Sequence, residues 1–416
     1  MLKNYTREER SWMFYDWANS AFSAIVAAII LPVFFKTVAE GSGVSAVNAT
    51  AYWGYATSCG TLICAVLAPF LGTLGDFKGM KKKLFTAFML LGVISTFLLA
   101  ATNSWKALLA FYILGTLGFS GSCIYYDSFL LDVTDTSRMD RVSSVGYGLG
   151  YIGGSTIPLI ISLALIQFGS KIGIETVAAT KFSFVLTALW WLLFSIPMLR
   201  NVKQKHAIAP EKRMIAQSLR NMQHTLGKIA GSKSILFFLI AYFFYIDGVG
   251  TIIHMATVFG ASCGLDSMDM MVILLVVQIV AFPFAILYGK LAGKFGPRNM
   301  ILFGIATYIV VCILGYNLKE MKDFLLLAVL VGTAQGGIQA LSRSYYGKLV
   351  PAEQASEYFG FFDVFGKFSA VIGPALFGLA AQITGVTNYG ALAVMLMFIA
   401  GGGIFLFLVP KHIDRV

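Results

Sequence analysis

Asp16, Asp127, Asp247, His254, Arg343, Asp363 and Lys367 lie inside otherwise apolar stretches of this chain. An ionisable group at the centre of a bilayer-spanning helix costs roughly 2.5–3.5 kcal/mol on insertion scales, so it faces a partner or a water-filled path. A carboxylate so placed can take up a proton, and a guanidinium or ammonium can hold an anionic group. Spacing gives these residues faces. Asp16, Asn19, Ser20 and Ser23 recur at helical intervals as one polar stripe, with Trp17, Phe22 and Ile25 on the other side. Asp247, Thr251 and His254 form a second stripe, Gln335, Gln339, Arg343 and Tyr346 a third, and Ser120, Cys123 and Asp127 a fourth. Asp363 and Lys367 are one helical turn apart, and Gln278 adds a polar neighbour. Two uses compete. One is a set of ion pairs that closes one side of a pathway: Asp127 or Asp16 with Arg343, and Asp363 with Lys367. The other is a carboxylate that carries a proton beside a cation that binds an anionic substrate group. Asp16 reads as gate or proton relay. Asp247, deeper and beside Gly248 and Gly250, reads as a substrate or proton site. His254, whose unperturbed pKa is about 6.5, is either a proton switch or a hydrogen-bonded packing residue.

These residues need elements to hold them. The chain has 416 residues, of which 58% are hydrophobic and 12% charged, too few charges for soluble domains of this length. Its mean hydropathy is +0.78. The apolar residues come in blocks of roughly 20 or more, the length that crosses a bilayer as a helix. Lipid cannot satisfy backbone polar groups, so the blocks must be helical. The expectation is an all-α membrane protein with twelve spans: 12–38, 51–74, 84–102, 106–131, 143–168, 180–199, 234–260, 267–292, 299–316, 322–346, 357–384 and 389–409. On these bounds Asp16 lies about 6 Å inside span 1, and Asp127 and Arg343 about 6 Å and 5 Å from the ends of spans 4 and 10. No signal peptide is expected ahead of span 1, whose flank is charged.

The net charge of +11 does not point to nucleic acid. Most Lys and Arg fall on one side of the twelve spans, the positive-inside pattern, which places both termini in the cytoplasm. The five cysteines are scattered, Cys263 among them, and give no disulfide framework or metal site; the histidines, including His412, show no ligating spacing. Asn48-Ala49-Thr50 is a glycosylation sequon that reads as a chance match. Glycines such as Gly146, Gly148, Gly150, Gly153 and Gly154 suit close helix packing better than a nucleotide loop. Trp105, Trp190 and Trp191 read as packing or interface anchors.

The organisation is two six-span bundles, 1–199 and 234–416, joined by a basic cytoplasmic linker, 200–233, with a helix lying on the membrane surface. The halves share landmarks. Gly72 and Gly289, Gly79 and Gly296, and Gly115-Thr116 and Gly332-Thr333 are separated by one constant interval. Gly150 and Pro158 precede Gly366 and Pro374 by one residue less. A repeated interval implies an internal duplication, and parallel six-helix repeats about a linker are a transporter architecture.

The loop after span 2 carries Gly72, Asp76, Gly79, Lys81 and Lys82, and the loop after span 8 carries Gly289, Lys294, Gly296 and Arg298. This doubled pattern resembles the major facilitator superfamily. Phe77 and Met80 depart from the usual basic residues, and Gly293 stands where the second copy would have its acid. "YDWANSAF" at 15–22 and "FFLIAYFFYIDGVGTI" at 237–252 resemble its vacuole-effluxer-like branch, found in bacteria and fungi, whose fungal members are associated with amino-acid export from the vacuole. The resemblance implies that spans 1, 4, 7 and 10 surround a central cavity and that the Asp76 loop acts as a conformational latch.

These readings converge on a secondary active transporter, not an enzyme, that rocks two bundles about a midplane site. The expected substrate is a small polar or zwitterionic solute such as an amino acid or short peptide. Protons are the expected coupling ion, with no cofactor, no metal and no nucleic-acid partner, in a monomer in the bacterial cytoplasmic membrane. A lipid or amphipathic-drug transporter of the same fold is the alternative. A channel or a membrane-embedded enzyme is a reading of another class, and no nucleophile–base pair at helical spacing favours the enzyme.

Overall fold

A computed structural model describes residues 2–209, 214–262, 267–318 and 321–411. Cys263, His412 and part of the linker lie outside the described residues. Among the described residues, twelve helices are long and apolar enough to cross a membrane. They are span 1 Arg7–Gly41, span 2 Ala46–Asp76, span 3 Met80–Ala101, span 4 Trp105–Val133, span 5 Met139–Ile172 and span 6 Thr176–Asn201 in the first half. The second half holds span 7 Lys233–Ala256, span 8 Ile273–Phe295, span 9 Pro297–Tyr316, span 10 Lys322–Leu349, span 11 Ala352–Thr384 and span 12 Tyr389–Phe407.

Spans 1 and 2 begin a turn or more before their apolar runs, because polar side chains cap them there. Thr6 and Glu9 exchange hydrogen bonds, Thr6 N–H to Glu9 Oε2 at 2.8 Å and Glu9 N–H to Thr6 Oγ1 at 3.1 Å, and so start span 1 at Arg7. Ser45 Oγ accepts Asn48 N–H at the start of span 2. Spans 4 and 10 also run on past their apolar residues, to Val133 and Leu349, so the depths are corrected. At 1.5 Å per residue Asp16 lies about 14 Å into span 1, and Asp127 and Arg343 each lie about 9 Å from the ends of spans 4 and 10.

Buried apolar side chains form two clusters, one from Tyr5 to Val202 and one from Ile229 to Val409. Between them the linker first laces onto the loop after span 2. Lys78 N–H donates to Ile208 O and Ile208 N–H to Asp76 O, while Gln204 Oε1 accepts Gly79 N–H. A linker helix, Met214–Gly231, follows. It buries Ser218, Thr225 and Ile229 and exposes Ile215, Leu219 and Leu226.

Glycines set how closely the spans approach. On span 5, a Cβ at Gly153 would lie 2.0 Å from the Trp17 ring, and one at Gly154 would lie 2.5 Å from Ser20 Cβ. Span 1 therefore lies flush on span 5, which is packing and not a nucleotide loop. Both helices widen into π-helical turns there, Phe22–Ile29 and Gly150–Thr156. Trp190 and Trp191 also pack inward: Trp191 Nε1 donates to Tyr15 Oη at 3.2 Å and Trp190 Nε1 to Trp17 O at 3.2 Å.

The halves meet along a seam. Lys and Arg concentrate at 78–83 (Lys78, Lys81, Lys82, Lys83), at Arg138 and Arg141 and in the linker, and this end is called the basic side. The described contacts across the seam lie in the half of the bundle nearer the basic side and reach the middle at Tyr151 and Gly336. Span 2 meets span 11, where a Cβ at Gly72 would lie 2.3 Å from Ser356 O. Span 8 meets span 5, where a Cβ at Gly289 would lie 2.5 Å from Ser144 Cβ.

Candidate functional site

Arg343 reaches from span 10 across the seam, and its polar partners all belong to the first half. Nη1 donates to Asp127 Oδ1 at 2.9 Å and Nη2 to Asp16 Oδ2 at 3.2 Å. Nε donates to Ser143 Oγ at 3.0 Å, and Nη2 also reaches Ser143 O at 3.1 Å. Tyr126 Oη donates to Asp16 Oδ2 at 2.6 Å. The guanidinium carbon lies 4.7, 5.2 and 4.3 Å from the ring centres of Trp12, Tyr126 and Tyr147. Its side chain is 2% exposed. A guanidinium suits this place because its planar fork binds carboxylates and stacks on aromatic faces at once. The sequence left Asp16 and Asp127 as alternative partners for Arg343; the structure gives it both. One cation thus faces two carboxyl groups.

Beside this triad, on span 11, Lys367 pairs with Asp363. Their side chains are 16% and 21% exposed, and that of Asp127 is 22% exposed, so solvent reaches all three. Asn19 Nδ2 donates to Cys123 Sγ at 3.5 Å, tying the span 1 stripe to span 4 one turn above Asp127. The stripe itself divides: Asp16 and Asn19 face spans 4 and 10, whereas Ser20 packs on Gly150 and Gly154 of span 5. The aromatics opposite also pack inside the bundle, Phe22 on Trp191 and Trp17 on Trp190.

Asp247 is placed otherwise. It is fully buried, and its two carboxylate oxygens accept the Gly373 amide of span 11 at 3.0 and 2.8 Å, with Thr251 Oγ1 at 3.3 Å. Its bonds stay inside the second half. His254 is exposed, Gln339 half-buried and Gln335 buried.

Of the loop residues, Asp76 crosses the seam. Its carboxylate accepts Ser356 N–H at 2.8 Å and Glu357 N–H at 3.0 Å, at the start of span 11, where unpaired amides and the helix dipole favour an anion. Lys81 Nζ donates to Asp132 Oδ2 at 2.9 Å, both side chains fully buried, and Lys82 Nζ donates to Val202 O at 2.8 Å. In the second copy Arg298 caps the end of span 12, donating to the carbonyls of Phe405, Leu406, Val409 and Pro410, and Lys294 is exposed.

Sequence reasoning missed several participants. Ser143 and the rings of Trp12, Tyr126 and Tyr147 surround Arg343, and their types gave no charge to notice. Asp132 and Asp140, which flank the loop between spans 4 and 5, are both buried. Asp132 Oδ1 accepts the amides of Lys205 and His206 at 2.9 Å, and Asp140 accepts Ser344 Oγ at 2.7 Å and Lys348 Nζ at 2.5 Å across the seam. Their signal was a carboxylate within one turn of a helix end.

Residues 4–413 match the model of the family described as vacuole effluxer Atg22 like. Over 416 residues the chain is 47% identical to the MFS-type transporter YxiO of Bacillus subtilis (strain 168), covering 99% of this chain and 97% of that protein. Autophagy-related protein 22-2 of Aspergillus clavatus is 24% identical over 292 residues, which is 62% of this chain but 45% of the fungal protein. In fold, the chain resembles the major facilitator proton:xylose symporter XylE bound to 6-bromo-6-deoxy-D-glucose. The TM-score is 0.74 at 12% identity, over 97% of this chain and 95% of that one. With the family matched over nearly its whole length and a bacterial relative aligned throughout, this chain belongs to the Atg22-like vacuole effluxer family of the major facilitator superfamily, as a multi-pass membrane protein and secondary transporter.

Proposed function

We propose that this transporter moves a small polar or zwitterionic solute, of the amino-acid or short-peptide kind, by alternating access coupled to protons. It would sit in the bacterial cytoplasmic membrane with the basic side and both termini cytoplasmic. The observation that carries this reading is the triad of Asp16, Asp127 and Arg343 across the seam. With the cytoplasmic side closed, the protein faces outward. Opening that side separates Arg343 from both carboxylates, and stranded charges in a low-dielectric interior are costly. A proton on one aspartate and a substrate carboxylate on Arg343 or Lys367 would offset that cost. Asp363 and Asp127, both reached by solvent, would meet the substrate's amino group. A second reading, an amphipathic or lipid substrate, draws on an apolar recess lined by Phe243, Val364, Phe365 and Phe368 between spans 7 and 11.

The test is transport in proteoliposomes of a panel of amino acids, dipeptides and lysolipids, with and without a pH gradient. The expected result is movement of an amino acid or dipeptide that a pH gradient accelerates, with Asp16→Asn impairing turnover more than binding. Transport that ignores the gradient, together with normal rates for Asp16→Asn and Asp247→Asn, would overturn proton coupling. Selectivity for lysolipids would favour the second reading.

A further inference from the structure

Apart from the seam, the second half encloses a cavity of about 120 Å³. Among the described residues all six of its spans, 7 to 12, contribute to the wall, and the first half contributes none. The described wall is therefore built by one bundle and comes up to the seam at Gln335. Its wall is largely aliphatic and aromatic, with Val277, Leu327, Val331 and Phe377 among its side chains. Apolar cavities of about this size stay dry and admit a small aromatic molecule such as benzene.

The exceptions in the wall are what identify an occupant. Gln278 and Gln335 both line the cavity, and the carbonyl oxygen of each is buried without a hydrogen-bond partner. Gln335 is 7% exposed, and its side chain also interacts with Tyr151 of span 5. A buried acceptor left unpaired loses its hydration with nothing in return, and native structures seldom leave one so. Two such acceptors in an otherwise apolar chamber match a molecule that is apolar over most of its surface and carries one hydrogen-bond donor. We propose that the interior of the second bundle is a binding site for a small apolar compound bearing an O–H or N–H group, of the phenol or short-chain alcohol class. The lining residues lie toward the ends of their helices away from the basic side, so the compound enters from that side. Gln335 shares a face of span 10 with Arg343, which puts the occupant in a position to modulate transport from within the bundle. The site is independent of which solute is transported.

The wall includes a built-in reporter, the buried thiol of Cys312. The experiment measures, on the detergent-purified full chain, the rate at which methyl methanethiosulfonate modifies Cys312, read by peptide mass spectrometry in rising phenol or benzene. Both compounds should slow Cys312 saturably and leave exposed Cys59 unaffected. Phenol should act at about fivefold lower concentration, the worth of one modest hydrogen bond. Gln335→Leu should erase phenol's advantage and retain protection by benzene. Val331→Trp, which fills the space, should remove protection by both. Equal potency of phenol and benzene in the parent protein would overturn the proposal. So would protection that survives Val331→Trp, or no protection by either compound, the result if water alone fills the cavity.

Discussion

Gly72 and Gly289 occupy equivalent places in the two halves, and each brings its helix onto the other half: span 2 onto span 11, span 8 onto span 5. Gly79 and Gly296, one interval further on, both turn the chain with positive φ, +78° and +83°. The likeness stops at the charge. Asp76 holds two amides of span 11, whereas its counterpart, Gly293, has nothing within 4 Å of where a Cβ would be. Arg298 takes the place of Lys81, and each braces its own half. Duplication thus preserved the close approach on both sides of the seam and kept the acidic loop residue on one. On the other side the polar contacts come from Asp140 with Ser344 and Lys348. The span 2–span 11 side joins a carboxylate–amide contact to a rigid backbone contact, and the span 8–span 5 side joins small side chains, with the Asp140 contacts beside them.

The largest effect should come from the glycines, and it should be unequal. Alanine at Gly72 drives a methyl group into the backbone oxygen of Ser356, which no rotamer can move. Alanine at Gly289 meets the side chain of Ser144. Overpacking costs about 1–3 kcal/mol. Gly72→Ala should therefore lower transport by about 100-fold, the upper end of that range, and Gly289→Ala by about tenfold. Both proteins should elute as folded monodisperse species. Ser144→Gly should restore Gly289→Ala, and Ser356→Gly should not restore Gly72→Ala. Equal losses, or rescue at Ser356, would remove the distinction between the two sides.

A smaller effect separates charge from shape. Asp76→Asn keeps the size of the side chain but withdraws the negative charge from the start of span 11. A charge at a helix terminus is worth up to ~2 kcal/mol when partly buried. The closed fraction of the basic side should then drop about tenfold, read as faster thiol labelling of a cysteine placed in the seam near Ser356. The reciprocal change, Gly293→Asp, should leave labelling within about twofold, because nothing lies within 4 Å of where its Cβ would be. A gain of closure in Gly293→Asp would show that the second loop can latch as the first does.

The glycine landmarks that carry this comparison were legible in the sequence, because a duplicated interval needs no knowledge of contacts. So was Asp363–Lys367, since helical spacing alone makes neighbours of residues four apart. The triad was legible as a set but not as a geometry. Spacing along one helix cannot say which distant helix it faces, so whether Asp16 or Asp127 meets Arg343 stayed open. Asp247 shows the same limit. Its place on a polar stripe of span 7 could not reveal that it turns to the Gly373 amide of span 11, within its own bundle. Depth was underestimated because hydropathy marks where apolar residues begin, whereas Thr6 and Glu9 set where the helix begins.

The smallest predicted effect concerns Lys294, which stands in the second copy where the first has Phe77. Phe77 is fully buried and pairs through its neighbours with Ile208 of the linker, so the first loop is fastened to the linker as well as to span 11. Lys294 is exposed, and its ammonium lies 5.2 Å from the adjacent Phe295 ring, a solvent-facing contact. Surface substitutions away from caps, cores and networks usually change stability by less than ~0.5 kcal/mol. Lys294→Ala should accordingly leave the thermal midpoint within about 2 °C and the transport rate within about twofold of the parent. A larger loss would mean that the second loop does hold a partner in some state of the cycle, and that both loops fasten the seam after all.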